Sequence, residues 1–249
     1  RSVSRGLGDV YKRQGYYTTA FKLYSVVLGF FTAFTNVMLP RMSSLLANGE
    51  KDRFQELVNR SFSVMSTCCI PLILCSMIMA PQIVYILSGP GYEGAILPMR
   101  IIMPAAFAVG VAQVLAIQVL MPMKKDKVLL VASIIGAVVS LLINLLVVPS
   151  VKSVGSAVVL LCSEMGVTGM YVWYVLSQEL ILIPIKAIGK NVLFSLPSVV
   201  ICLGCGRWID NELLGVGCAV VLAGILWMLL QIIIRSLVGE RIKNLFFKI

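Results

Sequence analysis

The sequence has no histidine and few charged residues of either sign. Asp, Glu, Lys and Arg make up 13% of its 249 residues, whereas 59% are apolar and the mean hydropathy is +0.96. Soluble domains have about 25% charged and about 45–50% apolar residues. A surface so poor in charge would not keep a soluble chain dispersed. The composition therefore excludes an ordinary soluble domain and predicts a protein solvated by lipid.

The groups needed for common enzyme chemistry are also missing. Without histidine the chain lacks the side chain that most often serves as general acid or base. It has no GxSxG motif, no P-loop and no paired carboxylates. Asp210 and Glu212 are close in sequence, but they lie in a short connection where a turn is the simpler interpretation. The sequence thus predicts no enzyme, no metal site and no cofactor.

All seven cysteines lie inside apolar runs. Cys202 and Cys205 form a CxxC, but a tetrahedral metal site would need a second pair or histidines. We therefore predict that the cysteines are small apolar packing residues.

The long apolar runs predict the fold. Each is about 20 residues long, near the length that crosses a hydrocarbon core of about 30 Å as a helix. They do not alternate as the strands of a membrane barrel would, and only helices or closed barrels satisfy their backbone in lipid. We predict an all-α integral membrane protein of about seven transmembrane helices, over residues 17–40, 61–87, 101–123, 128–149, 154–176, 191–209 and 213–235.

Basic residues alternate between the connections. Thirteen Lys and Arg side chains lie in 41–60, 124–127, 177–190 and the C-terminal tail, whereas the other connections hold three. Because cytoplasmic loops are enriched in Lys and Arg, this split predicts a cytoplasmic C-terminus and a first helix that enters from outside. It also explains the net charge of +10 without a nucleic-acid partner.

Two basic segments on the predicted cytoplasmic side are interpreted as interfacial helices. In residues 50–62, Phe54, Leu57, Val58 and Phe62 share one helical face. The tail RIKNLFFKI, residues 241–249, is short, basic and aromatic. Both patterns fit helices lying on an anionic lipid surface, and a solvated linker is the alternative for each.

A carboxylate at membrane depth is costly and is a functional candidate by default. Glu164 is near the middle of 154–176. Its functional interpretation is a protonatable or cation-binding group in a transport cavity. Its structural interpretation is a carboxyl group that is hydrogen-bonded between helices.

Other polar residues lie in or beside the apolar runs. Lys22 and Arg100 could face a cavity and bind phosphate or an anionic sugar, or could extend to the interface as anchors. The cavity is the preferred interpretation for Lys22. Four amide side chains are expected to form hydrogen bonds between helices: Asn36, Gln113, Gln118 and Asn144. Asn36 and Gln113 are also candidates for the cavity.

Residues 1–14, RSVSRGLGDVYKRQ, are polar, basic and aperiodic, and they lack the apolar core of a signal peptide. The stretch resembles linker or adapter DNA that has been translated. We expect it to be a non-native leader, followed by a partial transporter lobe over 15–190 and two additional helices with a tail over 191–249.

Several segments from residue 15 onward resemble the polysaccharide-unit flippases of bacteria. These are the O-antigen and capsule flippases of the multidrug-exporter-like (MATE/MOP) superfamily. The resemblance is carried by the first predicted helix with the loop after it and by two later segments: GYYTTAFKLYSVVLGFFTAFTNVMLPRMSSLLANGEKDRF, SGPGYEGAILPMRI and VGSAVVLLCSE.

The resemblance implies the C-terminal lobe of a two-lobe flippase, plus two extra helices, in the bacterial cytoplasmic membrane. It implies that undecaprenyl-diphosphate-linked oligosaccharide moves to the outer leaflet by alternating access, coupled to a proton or sodium gradient. Membrane lipids and the polysaccharide polymerase machinery are the other expected partners. The substrate diphosphate would then be the counter-charge of Lys22 and Arg100. The first lobe is absent, so this chain as written would not close a central cavity.

Other functions remain open on the residues alone. The same superfamily contains drug or cation antiporters and peptidoglycan-precursor flippases. A membrane enzyme or a scaffold of glycan assembly belongs to a different class, and the missing acidic cluster counts against the enzyme.

Overall fold

The computed structural model describes the backbone of residues 2–209 and 211–246, and the side chains of 11–209 and 211–232. Within these ranges the chain is helical and contains no strand. The helices are α1 (Ser2–Ala47), α2 (Lys51–Ile78), α3 (Ala80–Ser88), α4 (Ile96–Gln113), α5 (Asp126–Val151), α6 (Ser153–Ser177), α7 (Ile185–Trp208) and α8 (Glu212–Phe246). A 3₁₀ turn (Glu93–Ala95) precedes α4, and a π-helix (Val114–Leu120) continues it.

The predicted all-α membrane fold is confirmed. Seven helices in the described part of the chain are long and apolar enough to cross a membrane. They are Tyr11–Ala47, Lys51–Ile78, Glu93–Leu120, Asp126–Val151, Ser153–Ser177, Ile185–Trp208 and Glu212–Ile232.

Helix α4 is the centre of the bundle. It packs against α1, α2 and α6, and its span is the most buried of the seven. Fully buried side chains from these helices and from the π-helix fill the core, among them Phe31, Phe62, Met99 and Leu115. The π-helix at the end of α4 was not predicted, since its residues are as apolar as those of a regular helix.

Helix α5 lies at the periphery and packs mainly on α6. A glycine permits their close approach: a Cβ on Gly155 would lie 2.9 Å from the Val148 Cα. Leucines such as Leu141, Leu145 and Leu146 are exposed on α5. An exposed apolar surface of this kind requires lipid as its solvent.

Helices α7 and α8 form a hairpin that packs on α2 and α3. A small apolar cluster of its own lies at this contact and contains Met79, Cys202, Ala219 and Ala223. Nearer the start of α7, the Asn191 amide donates hydrogen bonds to the hydroxyls of Ser66 (2.7 Å) and Thr67 (3.1 Å) on α2.

The prediction of one helix over 61–87 is wrong. The helix starts ten residues earlier, at Lys51, and ends at Ile78, after which α3 is a separate element. Pro81 explains the break, because proline has no N–H for the carbonyl of Met77 and its ring clashes with the preceding turn.

The interfacial helix predicted over 50–62 is also wrong. These residues form the first turns of α2, and Phe54, Leu57, Val58 and Phe62 are buried in the protein core. An amphipathic face that suits a lipid surface suits a protein surface equally well, so the sequence could not distinguish the two. The side chains of the other predicted interfacial segment, 241–249, lie outside the described residues.

Interhelical hydrogen bonding was expected of Gln118 and Asn144, but the structure does not show it. Gln118 lies in the π-helix and is fully buried, and its amide oxygen and nitrogen have no partner among the described residues. Asn144 is exposed on α5, and no hydrogen bond of its side chain is found within the described ranges.

Candidate functional site

The first part of α1 is fixed against the connection between α3 and α4. The rings of Tyr16 and Tyr92 meet edge to face, with centroids 5.7 Å apart. The Tyr16 ring also packs so closely on Gly94 that a Cβ there would collide with it. One turn along, the hydroxyls of Thr19 and Ser88 are 2.7 Å apart and hydrogen-bonded. These contacts position the residues of α1 that follow.

One exposed face of α1 is polar or small along the membrane-spanning length. We call it the polar face, and it consists of Thr18, Lys22, Ser25, Gly29 and Asn36. Their spacing of three, four or seven residues places them on one side of the helix. Exposed Val26, Phe30 and Val37 lie beside it and suit lipid. A lysine and an amide side chain are costly in lipid. The polar face is therefore expected to line a water-filled space or to meet another protein surface.

Lys22 lines a cavity of about 560 Å³ on the polar face. The residues around it come from the leader expected to be non-native (Tyr11, Gln14), the rest of α1 (Gly15, Thr18, Thr19, Lys22), the end of α3 (Leu87, Ser88) and the following loop (Tyr92). None is acidic. Lys22 therefore contributes a positive charge that no lining carboxylate neutralises, beside several hydroxyl groups. This combination can bind an anion such as a phosphate.

Arg100 lies elsewhere and has a structural contact. Its Nε donates a hydrogen bond of 3.0 Å to the carbonyl oxygen of Met77. Pro81 has no N–H to donate to that carbonyl. The Arg100 guanidinium therefore supplies the hydrogen-bond donor that the end of α2 lacks. The structure does not bring Arg100 to the cavity that Lys22 lines.

The two amide candidates have different positions. Asn36 is exposed on the polar face, about 14 residues or four turns along α1 from Lys22. Gln113 instead joins α4 to α1: its Nε2 donates to the Thr32 hydroxyl at 2.9 Å, and its Oε1 accepts from the Thr35 hydroxyl at 3.5 Å. Interhelical hydrogen bonding accounts for Gln113.

Glu164 is half-buried on α6, which packs against α1. No hydrogen bond or ion pair to its carboxylate is found among the described residues. The structural role considered for Glu164, a hydrogen-bonded link between helices, is thus not seen here.

A second cationic site was missed from the sequence. Arg41 on α1 and Arg53 and Arg60 on α2 line a groove of about 250 Å³, together with Leu45, Glu56 and Leu57. We call it the arginine groove. Arg53 also pairs with Glu50 at 2.5 Å. Arg41 belongs to the basic connection 41–60 that the sequence assigns to the cytoplasmic side, and only the pairing of α1 with α2 reveals that the three side chains converge.

Comparisons with known proteins identify the family and the fold of the chain. A family model described as "Lipid II flippase MurJ" matches residues 14–211. A curated protein of Escherichia coli (strain K12), described as "Putative O-antigen transporter", is 27% identical over 168 residues. This alignment covers 67% of the present chain and 40% of that protein.

A solved structure, "Lipid II flippase MurJ, inward closed conformation", superposes on 91% of the chain with a TM-score of 0.77. The superposition covers 48% of that structure, at 15% sequence identity, so the likeness is one of fold. The chain spans less than half the length of each of these relatives.

We predict that Gln113→Leu destabilises the protein, because it removes hydrogen bonds between α4 and α1. Such bonds in membrane proteins contribute about 0.6 kcal/mol on average and up to about 1.7 kcal/mol. Thermal unfolding in detergent measures the effect. Asn144→Leu is the matched control, since its side chain is exposed, and it should leave the midpoint unchanged. Equal midpoints for Gln113→Leu and the unmodified chain would contradict a structural role for Gln113.

Proposed function

Because the chain belongs to the lipid II flippase MurJ family, whose members are transporters and not catalysts, we propose that it is part of a flippase for a lipid-linked saccharide. The chain is a multi-pass membrane protein of that family. Membership also confirms the resemblance found from the sequence. The activity proposed here is that of a complete transporter, of which this chain supplies about half.

The polar face of α1 is the observation that carries the proposal. A membrane-spanning helix that exposes a lysine, hydroxyls and an amide along one side is costly in lipid and useful beside an aqueous path. In a two-lobe transporter the polar face would meet the other lobe across the path, and alternating access would expose it to each side in turn. The cationic cavity at Lys22 would then hold the diphosphate of the substrate.

The proposed substrate is an undecaprenyl-diphosphate-linked oligosaccharide of the O-antigen or capsule type. The E. coli relative described as an O-antigen transporter supports this choice. The lipid-linked peptidoglycan precursor is the second candidate, and the family model favours it. Both substrates present a diphosphate, so the cavity at Lys22 serves either one. A drug or cation antiporter would not need an anion site.

We propose a cytoplasmic C-terminus, supported by the alternating count of basic residues. In this orientation the arginine groove opens on the cytoplasmic side and the Lys22 cavity near the outer side. No charged residue lies between Arg60 and Glu93, so Arg60 marks the inner edge of the hydrocarbon. The groove is therefore placed to meet the phosphates of the substrate before it crosses. The membrane would be the bacterial cytoplasmic membrane, and the polymerase machinery would receive the product.

Glu164 is the proposed carboxylate for coupling to a proton or sodium gradient. It lacks a partner among the described residues and lies in the membrane-spanning part of α6. A carboxylate in this setting can exchange a proton or hold a small cation as the helices around it move.

We predict that Lys22→Gln weakens binding of undecaprenyl-diphosphate oligosaccharide to the chain in lipid nanodiscs. A hydrogen bond to a charged group contributes about 1.5–3 kcal/mol, so Kd should rise about tenfold or more. Microscale thermophoresis with the labelled protein gives Kd directly. Lys127→Gln is the control, because it removes the same charge from the exposed start of α5.

The same titration compares the two substrate classes. Tighter binding of the O-antigen-type oligosaccharide supports the first candidate, and tighter binding of the peptidoglycan precursor supports the second. An unchanged Kd for Lys22→Gln, or equal losses for Lys22→Gln and Lys127→Gln, would exclude the cavity as the diphosphate site.

We predict that Glu164→Gln impairs transport without affecting membrane insertion. The test is O-antigen display in a flippase-deficient strain that expresses the chain joined to the N-terminal half of the E. coli relative. Surface display should fall while the amount of protein in the membrane fraction stays constant. Glu179→Gln, an exposed glutamate beyond α6, should retain display. Normal display by Glu164→Gln would remove this residue from the mechanism.

A further inference from the structure

Two cysteines from different parts of the fold face each other. Cys75 lies in the last turn of α2, and Cys202 lies in the second half of α7. Their Sγ atoms are 3.0 Å apart. This is inside the roughly 3.5–4.0 Å at which even the smaller carbon atoms make their best contact. Since a disulfide has an S–S bond of about 2.03–2.05 Å, the sulfurs need to approach by only about 1 Å.

We propose that Cys75 and Cys202 are a redox modification site, at which a disulfide joins the α7–α8 hairpin to α2. The apolar packing role expected for the cysteines describes the reduced state of the pair. It does not account for two sulfurs in such close contact across a helix–helix interface.

One of the two sulfurs can be reached by a reagent. Cys202 is fully buried, whereas Cys75 is half-buried and lines an apolar groove of about 170 Å³ between α2 and α8. Val220, Ala223 and Trp227 form the α8 side of this groove. A small oxidant would therefore meet Cys75 first, and Cys202 is positioned to react second.

The position along the helices favours oxidation. Cys75 is three residues from the end of α2, and Cys202 is six residues from the end of α7. Both ends face outward in the proposed orientation, and disulfides persist in the oxidising space outside the bacterial cytoplasmic membrane. This step rests on the proposed orientation, whereas the contact between the sulfurs does not.

The reaction needs an oxidant of the disulfide class. The Cys75 thiolate attacks one sulfur of that disulfide, which forms a mixed disulfide and releases one thiol. The Cys202 thiolate then attacks the Cys75 sulfur and releases the second thiol. The pair loses two electrons and two protons, and the S–S bond of the oxidant is reduced to two thiols.

The disulfide would attach α7 to α2 at a second point, in addition to the hydrogen bonds of Asn191. The Asn191 hydrogen bonds to Ser66 and Thr67 hold the beginning of α7 on α2. At the other end, the reduced pair is held by the small cluster around Met79 and by a long hydrogen bond (3.5 Å) from the Gln82 amide to the Gly206 carbonyl. Oxidation would prevent this end of the hairpin from separating from α2.

The test treats the full chain in lipid nanodiscs with a stoichiometric amount of the small, membrane-permeant disulfide 4,4′-dithiodipyridine, blocks free thiols with a maleimide under denaturing conditions, and maps peptides by mass spectrometry. We expect two of the seven thiols to become unavailable and one peptide to link Cys75 with Cys202. Dithiothreitol should restore both thiols. Seven free thiols after oxidation, or a linkage between other cysteines, would overturn the proposal.

Single substitutions provide a second readout. Cys75→Ser and Cys202→Ser should each abolish the loss of two thiols, whereas Cys162→Ser on α6 should retain it. Peptide mapping of the unmodified chain gives the answer even if a variant does not fold. Since the measurement involves no lipid-linked substrate, its failure would leave the proposed transport function untouched, and failure of transport would leave the linkage untouched.

Discussion

The hydrocarbon core cannot solvate polar groups, and this constraint explains how several polar groups in the described part of the bundle are used. The Met77 carbonyl, which Pro81 leaves without a donor, is satisfied by Arg100. Gln113 pairs with two threonines of α1, and Asn191 pairs with hydroxyls of α2. In each case a polar group finds a partner on another helix, and that pairing also fixes how the helices pack.

Polar groups without a partner on another helix therefore indicate where the bundle meets something other than lipid. The polar face of α1 points away from the core, and the Lys22 cavity contains no acidic neighbour. Glu164 has no partner among the described residues. Lipid would not tolerate these groups, but a water-filled path between two lobes would. The chain belongs to a transporter family and spans less than half the length of the relatives it matches.

Sequence reasoning predicted the number and the approximate positions of the membrane-spanning helices, because a 20-residue apolar run has few alternatives. It named Lys22 as a cavity candidate, since a lysine inside such a run must reach water or an anion, and in the structure Lys22 is among the residues that line the cavity on the polar face. It failed where the partner of a residue lies far away in the sequence. Arg100 binds a carbonyl 23 residues away, and the arginine groove depends on the pairing of two helices. The face at Phe54 and Leu57 was assigned to lipid because apolar side chains fit lipid and protein equally well.

The most direct test of the central claim is the water accessibility of α1. Single cysteines at positions 18–40, in a chain whose native cysteines are replaced by serine, are labelled in membranes with a hydrophilic maleimide. The account predicts labelling that rises and falls with a period of about 3.6 residues and peaks on the polar face, at 18, 22, 25, 29 and 36. Peaks at 26, 30 and 37, or labelling without a period, would contradict an aqueous path along this helix.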